Sequence, residues 1–147
     1  MTTTRTRTTK RIAADPTSTA LLLTGPAALE LWPGVRRVGD AGGRALVETE
    51  LPSERRTAAT VRALPPRRTP TAFVTRFQWS GPDLPGTTGE LRLSYARGDA
   101  SPSTVAELVL TSDGLEGTEI DAGALTTQAQ GFLDNLRRAA EERSTAV

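Results

Sequence analysis

The chain has 147 residues and a formal net charge of +1, enough length for one domain that buries roughly 70% of its unfolded surface without staples. It contains no His and no Cys, which excludes disulfides, a zinc site of the Cys/His type, and Ser-His-Asp or Cys-His nucleophilic mechanisms. Acid–base chemistry is left to a carboxylate, a Tyr, the single Lys or water. The longest apolar patch, Ala20 to Leu23, is one helical turn. No run is long enough to span a bilayer and no secretory apolar region follows the first residues, so a cytoplasmic protein with no integral membrane segment is expected.

Met1 to Thr4 reads as a frayed end, and Thr6 to Ala13 is Thr-rich and alternates weakly, which suits a strand. Asp15 then supplies an N-cap oxygen and Pro16 the first helical position, so a short helix is predicted over Thr17 to Leu23. Gly25-Pro26 stops it and opens a second, Ala27 to Leu31, which Pro33-Gly34 ends. Val35 to Val38 leads into the glycine-rich run Gly39 to Gly43, and a strand follows from Arg44 to Leu51. That run superficially resembles a phosphate cradle, but it opens no helix, so a hairpin turn is the expected role.

Further strands are predicted over Thr57 to Leu64, Thr71 to Ser80, Thr88 to Ala96 and Ser103 to Thr111. The connections are a stiff turn, Pro65 to Pro70, a Pro/Gly loop, Gly81 to Gly86, and a turn from Arg97 to Pro102. The polar stretch Ser112 to Gly123 carries Asp121 as a cap for a long helix, Ala122 to Arg143. Its apolar stripe is Leu125, Ala129, Phe132, Leu133, Leu136 and Ala140, at helical spacing. Short turns join antiparallel neighbours, so the fold class is α+β: a curved antiparallel sheet of about seven strands around a long C-terminal helix, with two short helices after the first strand.

A single sheet has one buried face and one wet face, and period-two alternation sorts the side chains. Phe73, Thr75, Phe77 and Trp79 share one face, as do Leu91, Leu93 and Tyr95, and both sets are expected to point at the long helix. Val47, Thr49 and Leu51 join them, opposite Glu48 and Glu50. On the last strand Ala106, Leu108 and Leu110 are placed inward, because that leaves Glu107 in water. Arg76 is expected in solvent and Arg62 is left undecided. The carboxylate pairs Glu48/Glu50 and Glu141/Glu142 lie on predicted wet surfaces, unlike the two carboxylates that flank a glycosidase cleft. The basic pairs Arg36-Arg37, Arg55-Arg56, Arg67-Arg68 and Arg137-Arg138 have no interleaved aromatics, so they read as solvated turns and helix surface, not as a nucleic-acid face.

The order of elements, with Asp15-Pro16 opening the first helix, Leu29-Glu30-Leu31-Trp32-Pro33-Gly34-Val35 closing the second and Phe132-Leu133-Asp134-Asn135-Leu136 in the last, resembles the helix-grip superfamily, also called START-like or SRPBCC. The resemblance covers nearly the whole chain, from about Thr4 to Arg143, and 1–147 is expected to be a single domain. It implies a hydrophobic small molecule, aromatic, polyketide-like or lipid, held between the sheet and the C-terminal helix. In some members the same cavity performs cyclisation or dehydration. No acid–base His is present here, so a member's catalytic set does not transfer whole.

On this reading the ligand-binding residues are Trp32, Val47, Thr49, Phe73, Phe77, Trp79, Leu91, Leu93, Leu108, Phe132 and Leu136. Tyr95 and Thr75 are the catalytic candidates, hydrogen-bonding a developing enolate oxygen. The Tyr95 hydroxyl, with an ordinary pKa of about 10, would act as donor. Trp32 has two readings, a cavity-mouth wall or an anchor for the helix pair, the anchor being preferred. No metal and no cofactor are expected, and the chain is expected to be a monomer or homodimer. Three functions are open: a polyketide cyclase or dehydratase, a non-catalytic carrier or sequestering protein, and an interaction module with a vestigial cavity.

Overall fold

The computed structural model describes residues 3–24, 26–64, 66–82, 84–96, 102–116 and 118–145. Features predicted at Gly25, Pro65, Asp83, residues 97–101 and Gly117 lie outside these. Strand β1 (Thr3–Ile12) starts earlier than expected, and helix α1 (Pro16–Leu21) follows it. Asp15 caps α1 as predicted: its Oδ1 accepts from the Ser18 N–H at 2.6 Å, and Pro16 occupies the first turn. The second short helix is a 3₁₀ helix, Pro26–Leu31.

Strands β2 (Val35–Ala41) and β3 (Arg44–Glu50) form a hairpin across Gly42 and Gly43. Both glycines have positive φ, 57° and 79°, as a tight hairpin turn requires, so the glycine run is a turn and not a cradle. Gly39 sits inside β2 beside a register shift, which is why the strand outlasts its predicted end at Val38.

Strand β4 (Arg56–Ala63) is followed by a two-residue strand, β5 (Arg67–Arg68), too short to carry an alternation signal. The sheet continues through β6 (Ala72–Gly81), β7 (Leu84–Tyr95) and β8 (Thr104–Asp113), and the chain ends in helix α2 (Ala122–Thr145). β7 begins before the predicted Thr88. Its pairing with β8 starts only at Thr87–Ser112, and its register with β6 shifts between Leu84 and Thr87, so Pro85 and Gly86 lie at an irregularity where Pro is tolerated. The eight strands form one sheet in the order β1-β8-β7-β6-β4-β3-β2, with β5 beside β6 and every pairing antiparallel.

The predicted stripe of α2, from Leu125 to Ala140, is buried against one face of this sheet. Facing it are Val47, Ala59, Val61, Leu91, Leu93 and the apolar part of the inward row of β8, Ala106, Leu108 and Leu110. Arg62 is exposed, because Ala59 and Val61 take the inner positions of β4. The outer face carries ion pairs between strands: Arg36–Glu48 at 2.6 Å, Arg76–Glu90 at 3.4 Å and Arg7–Glu107 at 2.5 Å.

Two further contacts fix α2. Its seam with β1 is polar. Thr126 and Thr6 share a hydrogen bond at 2.9 Å, Lys10 pairs with Asp134, and Glu141 accepts from the Ala13 N–H at 2.9 Å. The Lys10 ammonium holds the Asp134 carboxyl below its ordinary range. Within this seam the Thr8 hydroxyl is buried with no hydrogen-bond partner among the described residues.

The second contact docks the 3₁₀ segment. Gln128 Nε2 donates to the Pro33 carbonyl and Asn135 Nδ2 to the Leu31 carbonyl, each at 2.7 Å. Gly131 lies between them on the same helix stripe, and a Cβ added there would stand 2.4 Å from Pro33 Cγ.

Gly131→Ala, which in an open helix gains about 1 kcal/mol of propensity, is therefore expected to lower stability by roughly 1–3 kcal/mol through overpacking. Urea unfolding read by circular dichroism checks the sign. Thr8→Val keeps the shape and removes the unpartnered hydroxyl, so it is expected to raise stability by about 1 kcal/mol in the same assay.

Candidate functional site

Trp32 follows the 3₁₀ helix directly and is inserted between that segment, the sheet and α2. Its ring stacks on Phe132 with centroids 4.2 Å apart and planes at 28°. It meets Phe77 and Trp79 edge-on at 5.3 and 5.5 Å, with interplanar angles of 73° and 76°. Phe77 in turn lies over Gly89, directly across in the register, where a Cβ would fall 2.1 Å from the ring. The anchored ring is also a wall of the space beside it.

That space is a cavity of about 340 Å³ between the sheet and the first turns of α2. Its sheet wall is Thr49, Trp79, Thr87 and Leu110, and its helix wall is Ala124, Leu125, Thr127 and Gln128. The mouth is bordered by Glu50, Leu51 and Pro52 after β3 and by Ile120 before α2. These come from the ends of β3, β6 and β8 and the starts of β7 and α2, which the antiparallel topology brings to one end of the sheet.

The mouth is held by local hydrogen bonds. The Thr118 hydroxyl donates to the Leu115 carbonyl at 2.8 Å, and Asp121 Oδ1 accepts from the Ala124 N–H at 2.7 Å, the predicted cap of α2. Arg55 bridges to Glu119 at 2.8 Å, tying the β3–β4 turn to the segment before α2 across the opening. Inside, the hydroxyls of Thr87 and Ser112 share a hydrogen bond at 2.7 Å.

Of the residues expected to bind ligand, Trp32, Thr49 and Trp79 border this cavity. Val47, Phe77, Leu91, Leu93, Leu108, Phe132 and Leu136 instead fill the core, with Leu108 and Leu136 0% exposed. Phe73 is half-buried at the edge of that core, and the Arg68 guanidinium lies 5.2 Å from its ring centre.

The two catalytic candidates lie apart from this cavity. Tyr95 ends β7 and is 57% exposed, and Thr75 is half-buried on β6; neither borders the cavity. Alternation placed Tyr95 on the inner face, but at the strand's last residue it is not covered.

Several cavity residues went unpredicted. Leu51, Leu110 and Leu125 were assigned inward and lacked only a reason to be preferred over their neighbours. Thr87 lies between the predicted loop, which ends at Gly86, and the strand predicted from Thr88, and Ala124 and Gln128 flank the helix stripe. Pro52 and Ile120 sit in connections that carry no period.

Three of the four basic pairs have a member engaged within the fold: Arg36 with Glu48, Arg37 with Asp40, Arg55 with Glu119 and Arg68 with Phe73. The Arg37 guanidinium holds the Asp40 carboxyl below its ordinary range. Among the described residues no group of three or more His, Cys, Asp or Glu is arranged to hold a metal ion, and no helix is long and apolar enough to cross a membrane.

No family model matches the chain, and no curated protein matches it by sequence. Solved structures match closely in fold. A conserved protein from Geobacillus kaustophilus superposes with a TM-score of 0.67 at 9% identity, over 96% of each chain. The protein XoxI from Bacillus cereus gives 0.66 at 15% identity over 96% of this chain and 98% of its own. A START superfamily protein from Mycobacterium smegmatis gives 0.58 at 17% identity over 95% of this chain and 96% of its own. The chain has the START-like helix-grip fold.

Trp32→Ala removes the stacked and edge contacts together and is expected to cost roughly 3–5 kcal/mol in urea unfolding. A double-mutant cycle with Phe132→Ala is expected to return a coupling of about 0.5–1.5 kcal/mol, the value of the stacked pair.

Proposed function

We propose that this helix-grip protein binds a compact apolar small molecule in the cavity between its sheet and the start of its C-terminal helix. The observation that carries the reading is the hollow itself: about 340 Å³, walled by Trp32, Trp79, Leu110 and Leu125, with a few polar groups among them. That volume lies at the low end of the roughly 300–1,000 Å³ of ligand pockets, so a guest of one or two rings fits better than a two-chain lipid. A solidly packed core would leave no such space beside an anchored aromatic cluster.

The cavity favours carriage or sequestration over cyclisation. Among the described residues its only charged lining residue is Glu50, exposed at the mouth. Tyr95 and Thr75, which a cyclase or dehydratase of this chain would need near the reacting carbons, lie away from it. The structural neighbour described as a START superfamily protein is consistent with a ligand-holding scaffold, although one fold hosts many activities.

Native mass spectrometry of freshly purified protein is expected to detect a small-molecule adduct that is released on denaturation. Ala124→Phe fills the helix side of the cavity and is expected to abolish the adduct while leaving the circular dichroism spectrum unchanged. An adduct retained in full by Ala124→Phe places the ligand elsewhere.

A further inference from the structure

The polar groups around the cavity are specific about what they lack. Thr49 is 6% exposed and Trp32 is 5% exposed, yet neither side chain hydrogen-bonds to a described residue. Among the described residues the one buried side-chain polar atom both sealed from solvent-sized space and unpartnered is Thr8 Oγ1. Neither the Trp32 N–H nor the Thr49 hydroxyl is sealed in that way, and both residues border the cavity. Polar groups on buried side chains are nearly always satisfied in native proteins, by protein, water or ligand, so two without a protein partner beside one hollow offer hydrogen bonds to whatever fills it. The indole N–H can only donate, and the threonine hydroxyl can donate as well. Both are answered by an oxygen that accepts.

The charge of the lining narrows the guest further. Among the described residues no Lys or Arg lines the cavity, and nearby Arg55 is paired with Glu119. The one charge in the lining is the carboxylate residue Glu50. A guest carboxylate would leave water for an apolar wall with no cation to meet it, and would approach a like charge at the entrance.

We propose that the cavity selects an uncharged apolar molecule bearing a carbonyl or hydroxyl oxygen, which accepts from the Trp32 indole N–H and the Thr49 hydroxyl, and that it discriminates against carboxylates such as free fatty acids. This rests on the cavity being a binding site, as proposed above, and adds the chemical class of the guest.

Three probes with one ring system separate the possibilities: methyl naphthyl ketone, naphthoate and methylnaphthalene, each substituted at the same ring position. Equilibrium dialysis against the full chain at neutral pH is expected to show the ketone binding about ten-fold more tightly than naphthoate. Thr49→Val is expected to weaken the ketone about five-fold and to leave methylnaphthalene unchanged, a pattern that a general loss of packing would not produce. The chain has two Trp, and both border the cavity. Fluorine NMR of fluorotryptophan-labelled protein therefore reports whether the ketone occupies it, and both resonances are expected to shift. Naphthoate binding as tightly as the ketone, or Thr49→Val weakening methylnaphthalene equally, overturns the selectivity while leaving the cavity a binding site. If none of the three binds up to about 1 mM, the cavity reading itself fails and the selectivity falls with it.

Discussion

The stacking of Trp32 on Phe132 is the contact from which the rest of the architecture follows. An open curved sheet and one helix share only a line of contact, and a single amphipathic stripe cannot seal both long edges of the sheet. The segment that closes the gap is the 3₁₀ helix with its Trp-Pro-Gly end. It is short, irregular and unable to satisfy its own terminal carbonyls. Helix α2 supplies what it lacks: two side-chain amides for the Leu31 and Pro33 carbonyls, a glycine where Pro33 approaches, and a phenyl ring under the indole. Polar satisfaction, close approach and aromatic packing agree on one docked position.

The cavity is a by-product of that docking. Trp32 leans on Phe77 and Trp79 by their edges, which holds the large rings together on one side. Next to them the lining turns to Thr49, Thr87, Ala124 and Thr127, residues too small to fill the distance between sheet and helix. The same ring thus supports the core and bounds the hollow, so stability and binding share a residue. The Arg55–Glu119 bridge joins the two connections at the opening, where side chains are partly solvated and an ion pair contributes little to stability. Its consequence is positional: it ties the β3–β4 turn to the segment before α2.

The seam between α2 and β1 follows a different chemistry. An edge strand rich in Thr offers the helix hydroxyls and Lys10 in place of aliphatic side chains. That composition gives up hydrophobic contact and leaves Thr8 unsatisfied. It also leaves β1 with a polar, charged exposed surface of Arg5, Arg7 and Arg11, a composition that discourages pairing with other chains at a sheet edge.

The architecture could be read from the chain because its signals are local. Asp15-Pro16 and Asp121 announce helix starts, the paired glycines announce a hairpin, and the inward rows of β3 and β8 and the stripe of α2 follow from periods of two and about 3.6 residues. Those periods identify the face on which a residue lies. They say nothing about how far along the sheet the helix reaches, and that distance separated Leu108, sealed in the core, from Leu110, two residues on and open to the cavity. The same limit misplaced Tyr95, which has the right face and no cover. Residues such as Pro52, Ile120 and Gln128 meet only because strand ends and loops distant in sequence converge at one end of the sheet. Face and element type are properties of a short segment of backbone, so the sequence alone determined them. Filled or empty space is a property of how several segments pack, so only the tertiary structure decided it.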